Sequence, residues 1–168
     1  MSVRSLAVAL LVGVACAPKL EPVGISYAGA TTAPPASASA PPGAPPWRHG
    51  SSLAGLPKAN ARRFSSAGHL FGRYEADVFV NEVGRARYDA VAPDTTAPRG
   101  ALVVQVLYEV AGGPGPVFAM ERGDDGWTFT ELDARLRVVR EGKLSPCVEC
   151  HAHVASQDHL FGLPAAAR

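Results

Sequence analysis

Net charge, long apolar runs and cysteine are all scarce in this chain, and each scarcity narrows what it can be. The 168 residues carry a formal net charge of only +1. Nucleic-acid binding leaves a basic patch or a high pI, so that class of partner is set aside. The apolar run Leu6–Val14 is too short to span a bilayer as a helix, and no later stretch comes near the ~20 residues that a span needs. Cysteine occurs only at Cys16, Cys147 and Cys150, and lysine is missing altogether between Lys58 and Lys143.

Two of the three cysteines stand in one five-residue motif, Cys147-Val148-Glu149-Cys150-His151. C-x-x-C-H is the attachment signature of c-type haem. The spacing follows from the chemistry. Two thiols add across the two vinyl groups of one porphyrin, so they must lie close together on one side of the chain, as a helical turn places them. The next residue, His151, then lies under the iron and can donate an imidazole nitrogen as axial ligand. Three rival readings stand beside it. A dithiol redox motif calls for a βαβ context that the sequence does not show. A zinc site completed by His151 with His153 or His159 is cramped, because the second ligand pair normally comes from a separate knuckle. A plain disulfide is the third.

The N-terminus makes a compatible statement. Arg4 followed by Leu6–Val14 reads as a secretory signal over residues 1–15. Gly13-Val14-Ala15-Cys16 resembles a bacterial lipobox, with Gly13 where a leucine is usual, which makes Cys16 a lipidation candidate. The alternative is ordinary cleavage near Ala15 or Ala17. Lipid and haem together would use all three cysteines. Covalent haem attachment in bacteria takes place beyond the inner membrane. The expected location is therefore the periplasm or cell envelope, with the membrane met only through a lipid anchor.

Thr31–Pro46 consists of Thr, Ala, Pro, Ser and Gly alone. Such a stretch cannot offset its ordering entropy by burial, and its prolines favour extended conformations. Residues 16–64 are therefore expected to form a disordered tether, with Trp47–Arg63 read either as more linker or as a short helix starting near Ser51. Residues 65–168 are expected to form the folded domain.

Within that domain the patterning predicts strands. Arg73–Val80 alternates, with Glu75 and Asp77 on the polar face and Phe79 out of place on it. Asn81 predicts an N-cap for a helix through Tyr88. Ala101–Val110 is nearly all apolar and β-branched, as in a strand covered on both faces. Val117–Arg122, Trp127–Leu132 and Leu136–Arg140 follow at short spacing, separated by Gly-rich or Asp-rich turns. Ser145 as N-cap and Pro146 at the first position predict a helix over Pro146–Ala155 carrying the cysteines. The expected fold class is α+β, a mainly antiparallel β-sheet with short helices and the C-x-x-C-H helix near the C-terminus.

The order of these features resembles the cytochrome P-460 family and the related β-sheet cytochromes c-prime. The resemblance runs through Val78-Phe79-Val80-Asn81, the strand Gly100–Val106, Gly115–Glu121, the strand starting at Trp127, the haem motif, and Asp158–Gly162. It implies one c-type haem with His151 as proximal ligand, often a homodimer, and a distal side open to small nitrogenous ligands. Some members oxidise hydroxylamine; the c-prime-like members bind nitric oxide. The hydroxylamine oxidisers carry a lysine crosslinked to the porphyrin. The matching position here is Gln105, which cannot form that bond, so the resemblance favours nitric oxide binding, or electron transfer to a periplasmic redox partner, over hydroxylamine oxidation.

The sixth iron position is open in the sequence. Met120 would suit electron transfer as a ligand, but a methionine in an apolar strand is ordinary core. His69, His153 and His159 are further candidates, each with a loop or surface reading beside it. Phe79, Phe118, Trp127 and Phe129 could cap a distal pocket or simply fill the core. Glu121 is a candidate acid/base group, or a solvated strand end beside Arg122. Arg135, Arg137 and Arg140 read as one solvated strand face, with propionate pairing as the alternative. His-Leu-Phe-Gly occurs at His69–Gly72 and again at His159–Gly162, a repeat short enough to be read as coincidence.

Overall fold

A computed structural model describes residues 39–168. The signal expected over residues 1–15 and the lipidation expected at Cys16 lie outside the described residues. Six strands pair antiparallel in chain order: β1 Phe64–Ser65, β2 Tyr74–Val80, β3 Leu102–Glu109, β4 Pro114–Gly123, β5 Gly126–Leu132 and β6 Val138–Gly142. Helix α1, Glu82–Asp89, follows β2, and α2, Cys147–Ala152, follows β6. The class is α+β and mainly antiparallel, as the patterning predicts.

The pleat gives the sheet two faces with different neighbours. The front face carries Val78, Val80, Met120, Trp127 and Phe129, which share a core with Tyr88 of α1 and Leu160 from the C-terminal segment. The back face carries Leu102, Val104, Val117, Ala119 and Leu132. Both faces of β3 are therefore covered, which is why its sequence shows no polar alternation. Asn81 caps α1 through its side-chain oxygen, which accepts from Gly84 N at 3.0 Å and also from Leu102 N at 3.0 Å.

The tether expected over residues 16–64 is corrected from Ala44 onward, and its residues 16–38 lie outside the described residues. Ala44 and Trp47 are buried, and Trp47 joins the back-face core with Leu53 and Leu56 packed beside it. Trp47 N donates to Leu136 O at 2.9 Å and Val138 N to Pro45 O at 3.1 Å, tying this segment to the β6 edge. Further on, Ala59 N donates to Val78 O and Val80 N to Pro57 O, tying it to β2. In place of a helix from Ser51 there is a single 3-10 turn, Leu53–Gly55. The anchors are isolated apolar residues without a period, so periodicity cannot reveal them. What recruits them is the apolar back face of β3–β5.

Asp77 also departs from expectation. It is buried rather than solvated, and the strap segment answers its charge. Lys58 Nζ lies 2.7 Å from Oδ1, Asn60 Nδ2 donates to the same oxygen at 3.0 Å, and Arg63 Nε donates to Oδ2 at 3.1 Å. Burial alone would raise the Asp77 pKa, but these bonds outweigh it and hold the carboxyl below its ordinary 3.8.

Other boundaries shift for local reasons. β4 begins at Pro114, ahead of the expected Val117. β6 begins at Val138 because Asp133 Oδ1 accepts from Arg135 N and Arg137 N and keeps Leu136 in a turn at φ 59°. α2 stops at Ala152, and a separate 3-10 turn occupies Ala155–Gln157.

Trp47→Ala should cost about 3 kcal/mol of stability, the usual range for a buried aromatic, read as a lower midpoint in urea unfolding. Asp77→Asn should be less stable than the parent at neutral pH. A depressed carboxyl pKa contributes stability that is complete above 3.8 and is lost as the pH falls below it. The gap between the two proteins should therefore close over that acid range when midpoints are compared across pH.

Candidate haem-binding site

Helix α2 starts one residue later than expected. Pro146 is the N-cap and its backbone carbonyl accepts from Cys150 N at 2.9 Å, while the Ser145 hydroxyl donates to Glu149 at 2.6 Å. Residues three apart share a helix side, so Cys147 and Cys150 lie along one edge of this turn. Cys147 packs against the front core, whereas Cys150 is exposed, and both thiols are free. Burial, first of all, pushes the Cys147 thiol pKa up.

His151 is buried beneath them. Its Nδ1–H donates to the carbonyl of His159 at 2.7 Å, and His159 Nδ1–H donates back to the His151 carbonyl at 3.2 Å. The first of these bonds fixes the tautomer and leaves Nε2 as the free nitrogen. Phe129 and Phe161 stand edge-on to the ring, each at 5.1 Å between centroids. Burial lowers the His151 pKa, which favours the neutral imidazole, the form that binds metals.

A second layer of bonds holds His159 where it must be. Asp158 and His159 both adopt left-handed backbone, φ 54° and 62°. Asp158 Oδ2 accepts from Ala97 N at 2.7 Å, its Oδ1 meets Arg122 Nη1 at 3.2 Å, and its carbonyl accepts from Trp127 Nε1 at 2.8 Å. Just upstream, the buried Arg87 donates to the carbonyls of Thr95, Ala92 and Gln157, joining α1 to the segment that follows α2.

His69 faces the same region from the loop before β2. Its ring stacks on Phe118 at 4.6 Å, with 14° between planes. Its centroid lies 6.4 Å from that of His151. Burial first, then the neighbouring His151, pushes its pKa down to about 4. Cross-strand pairing sets Val78, Gln105, Phe118, Glu131 and Arg140 in one row across the front face. Position Gln105 therefore lies beside His69, on the face that carries the motif.

Several candidate residues separate at this point. Glu121 alternates onto the back face, where Arg48 pairs with it and His49 Nε2 lies 3.0 Å away. Burial would raise its pKa, but the bonds from Arg48 and His49 hold it below the usual carboxylate range. An ion-paired carboxylate on the opposite side of the sheet is no acid/base group for this motif. The front-face carboxylate is Glu131, buried, with Arg140 Nε at 2.6 Å. Sequence reasoning passed over it, although its alternation with Trp127 and Phe129 carried the signal.

Phe79 packs on the back face as well, so it caps nothing here. Phe118, Trp127 and Phe129 remain on the front. Met120 is front-face core, and His153 is an exposed residue at the end of α2. The three arginines do not form one face. Arg137 donates to Ala44 O, Arg140 pairs with Glu131, and Arg135 lies in the turn at Asp133. The repeated tetrapeptide, read as coincidence, has both copies at the site: His69 opposite His151, and His159 and Phe161 in contact with it.

Among the described residues, no group of three or more His, Cys, Asp or Glu side chains is placed to hold a metal ion by itself. Set against known proteins, the chain matches no family model, no curated protein and no solved structure.

Asp158→Ala removes an acceptor from Ala97 N and the partner of Arg122. The expected cost is about 1–3 kcal/mol, that of unsatisfied buried groups. Amide hydrogen exchange should quicken across residues 155–163 while β3 and β4 keep their protection.

Proposed function

We propose that this protein is an exported monohaem c-type cytochrome of the cytochrome P-460-like class, which binds a small nitrogenous ligand such as nitric oxide at its iron. In this reading Cys147 and Cys150 hold the porphyrin through thioether bonds and His151 supplies the proximal nitrogen. Cys16 carries the lipid that keeps the chain at the membrane. When bound, the haem supplies a redox-active iron that accepts a small ligand.

The observation that carries the reading is the state of His151. Its Nδ1 is engaged by the His159 carbonyl, which leaves Nε2 free in a buried, apolar setting. Metal-bound histidines are held by this kind of second bond. The surroundings are apolar enough to receive a porphyrin: Val148 and Phe161 are large hydrophobic residues left exposed beside the motif. A zinc reading would need further ligands, and the described residues hold no such group.

The remaining residues would shape the ligand side. Phe118 and Phe129 exclude water, and Gln105 offers an amide where the hydroxylamine-oxidising relatives would present a lysine. Oxidation of hydroxylamine is accordingly the least supported activity. A second reading, electron transfer to a periplasmic partner, is favoured by the exposure of Cys150, which would leave the attached porphyrin edge close to solvent.

Produced with cytochrome c maturation machinery, the protein should retain haem after denaturation. The Cys147→Ala/Cys150→Ala double variant should lose all of it. Carbon monoxide should shift the reduced spectrum if the iron takes external ligands, and leave it unchanged for a closed electron carrier. Absence of covalent haem from the unaltered protein would sink the reading.

A further inference from the structure

We infer that Arg87 is a positioning residue for the proximal histidine: it pins the backbone at Gln157, so that His159 carries its carbonyl to His151 Nδ1. The inference rests on the haem reading above and concerns how strongly His151 would donate to the iron.

Arg87 stands in the last turn of α1 and is only 8% exposed. Its guanidinium is charged and has no acceptor atom of its own. Nε donates to Thr95 O at 3.1 Å and Nη1 to Ala90 O at 3.4 Å. Nη2 donates to Ala92 O at 3.1 Å and to Gln157 O at 2.7 Å. Every acceptor is a backbone carbonyl, and no ion pair among the described residues includes this arginine. A buried charge without a counter-charge is costly, and an apolar side chain of similar volume avoids that cost. What the guanidinium adds is a rigid fork. It ties the end of α1, the loop after it and the segment after α2 to one point.

The last of those segments leads to the site. Ser156 O accepts from Asp94 N at 2.9 Å, Gln157 O takes the shortest bond of Arg87, and Asp158 Oδ2 accepts from Ala97 N at 2.7 Å. Consecutive residues 156, 157 and 158 are thus fastened to the stretch 87–97. The next residue is His159, whose carbonyl accepts from His151 Nδ1 at 2.7 Å. Asp158 and His159 are in left-handed backbone, which persists only where surroundings impose it. Arg122 and Trp127 hold Asp158 from the sheet. Arg87 holds the carbonyl just ahead of it from α1. None of its hydrogen bonds reaches His151, so it acts through the backbone between them.

The direction of the effect follows from the ligand chemistry. A carbonyl fixed on Nδ1–H makes an imidazole a stronger donor through its other nitrogen. Stronger donation favours the ferric state, so a loosened carbonyl raises the reduction potential. Loss of the positive charge would act the opposite way, by favouring the more highly charged ferric iron. Arg87→Lys keeps the charge and removes the planar fork, and so isolates the positional effect.

The test compares the haem-loaded full chain with its Arg87→Lys variant. In the ferrous state the iron–histidine stretching band, read by resonance Raman, should move to lower frequency. The reduction potential should rise, and amide exchange at residues 157–159 should quicken severalfold. Val104→Ala, a substitution in the back-face core, separates this from a general loss of stability. It should lower the unfolding midpoint and leave the band and the potential in place. Arg85→Lys, on the same helix and paired with Asp89, should move neither. A band and potential unmoved in Arg87→Lys, or moved as far by Val104→Ala, overturn the assignment while leaving the haem reading intact. Where a filled sixth position silences the band, the potential alone decides, and a fall or no change overturns the assignment. Absence of covalent haem would instead overturn the reading on which it rests.

Discussion

The bond from His151 Nδ1 to the His159 carbonyl is the constraint on which the front of the molecule depends. It closes a short loop between α2 and the C-terminal segment, and it decides which nitrogen of His151 stays available. The loop can present that carbonyl only because Asp158 and His159 are held in left-handed backbone. Arg122 and Trp127, from the β4–β5 hairpin, supply the holding contacts through Asp158. A five-residue chemical motif thus draws its geometry from Arg122 and Trp127, on the preceding hairpin. The cost of two strained residues is offset by an ion pair and two hydrogen bonds that leave few polar groups unmet.

The antiparallel class and most strand bounds were legible in the sequence, because alternation and turn residues agree along β2 to β5, whereas the two-residue β1 was not. The N-cap at Asn81 was legible for the same reason: a short polar side chain precedes a helix-permissive run. What patterning cannot show is which face a residue takes relative to something outside its own strand. Glu121 and Glu131 look alike along the chain, each a carboxylate in an apolar strand. Alternation puts them on opposite faces, and only the position of α2 says which face matters. Phe79 and Phe118 separate in the same way. Trp47 was hidden for another reason. A single aromatic in a proline-rich stretch has no periodic neighbours, so the burial that orders it is wholly tertiary.

The two His-Leu-Phe-Gly segments show how a short repeat can gain meaning from topology. They lie at opposite ends of the domain in sequence, yet both carry consecutive residues of positive φ at or beside their histidine, and both bring that histidine to the neighbourhood of His151. One uses its backbone carbonyl and the other its ring. In both, a tight loop brings a histidine close to His151, while the phenylalanines differ: Phe71 is exposed and Phe161 meets the His151 ring edge-on. The row from Gln105 to Arg140 forms the floor between them, graded from amide to aromatic to ion pair.

The strap from Ala44 to Ser65 touches both margins of the sheet. It bonds to β6 through Pro45, Pro46 and Trp47, and to β2 through Pro57, Lys58, Ala59 and the two-residue β1. Open strand margins invite pairing with other chains, and here one covalent segment blunts both. A meander with two open margins is bordered on both by a piece of backbone with almost no secondary structure of its own. The two guarded borders are joined through one 3-10 turn, Leu53–Gly55, so a change in the length of that turn would be felt at opposite margins of the sheet at once.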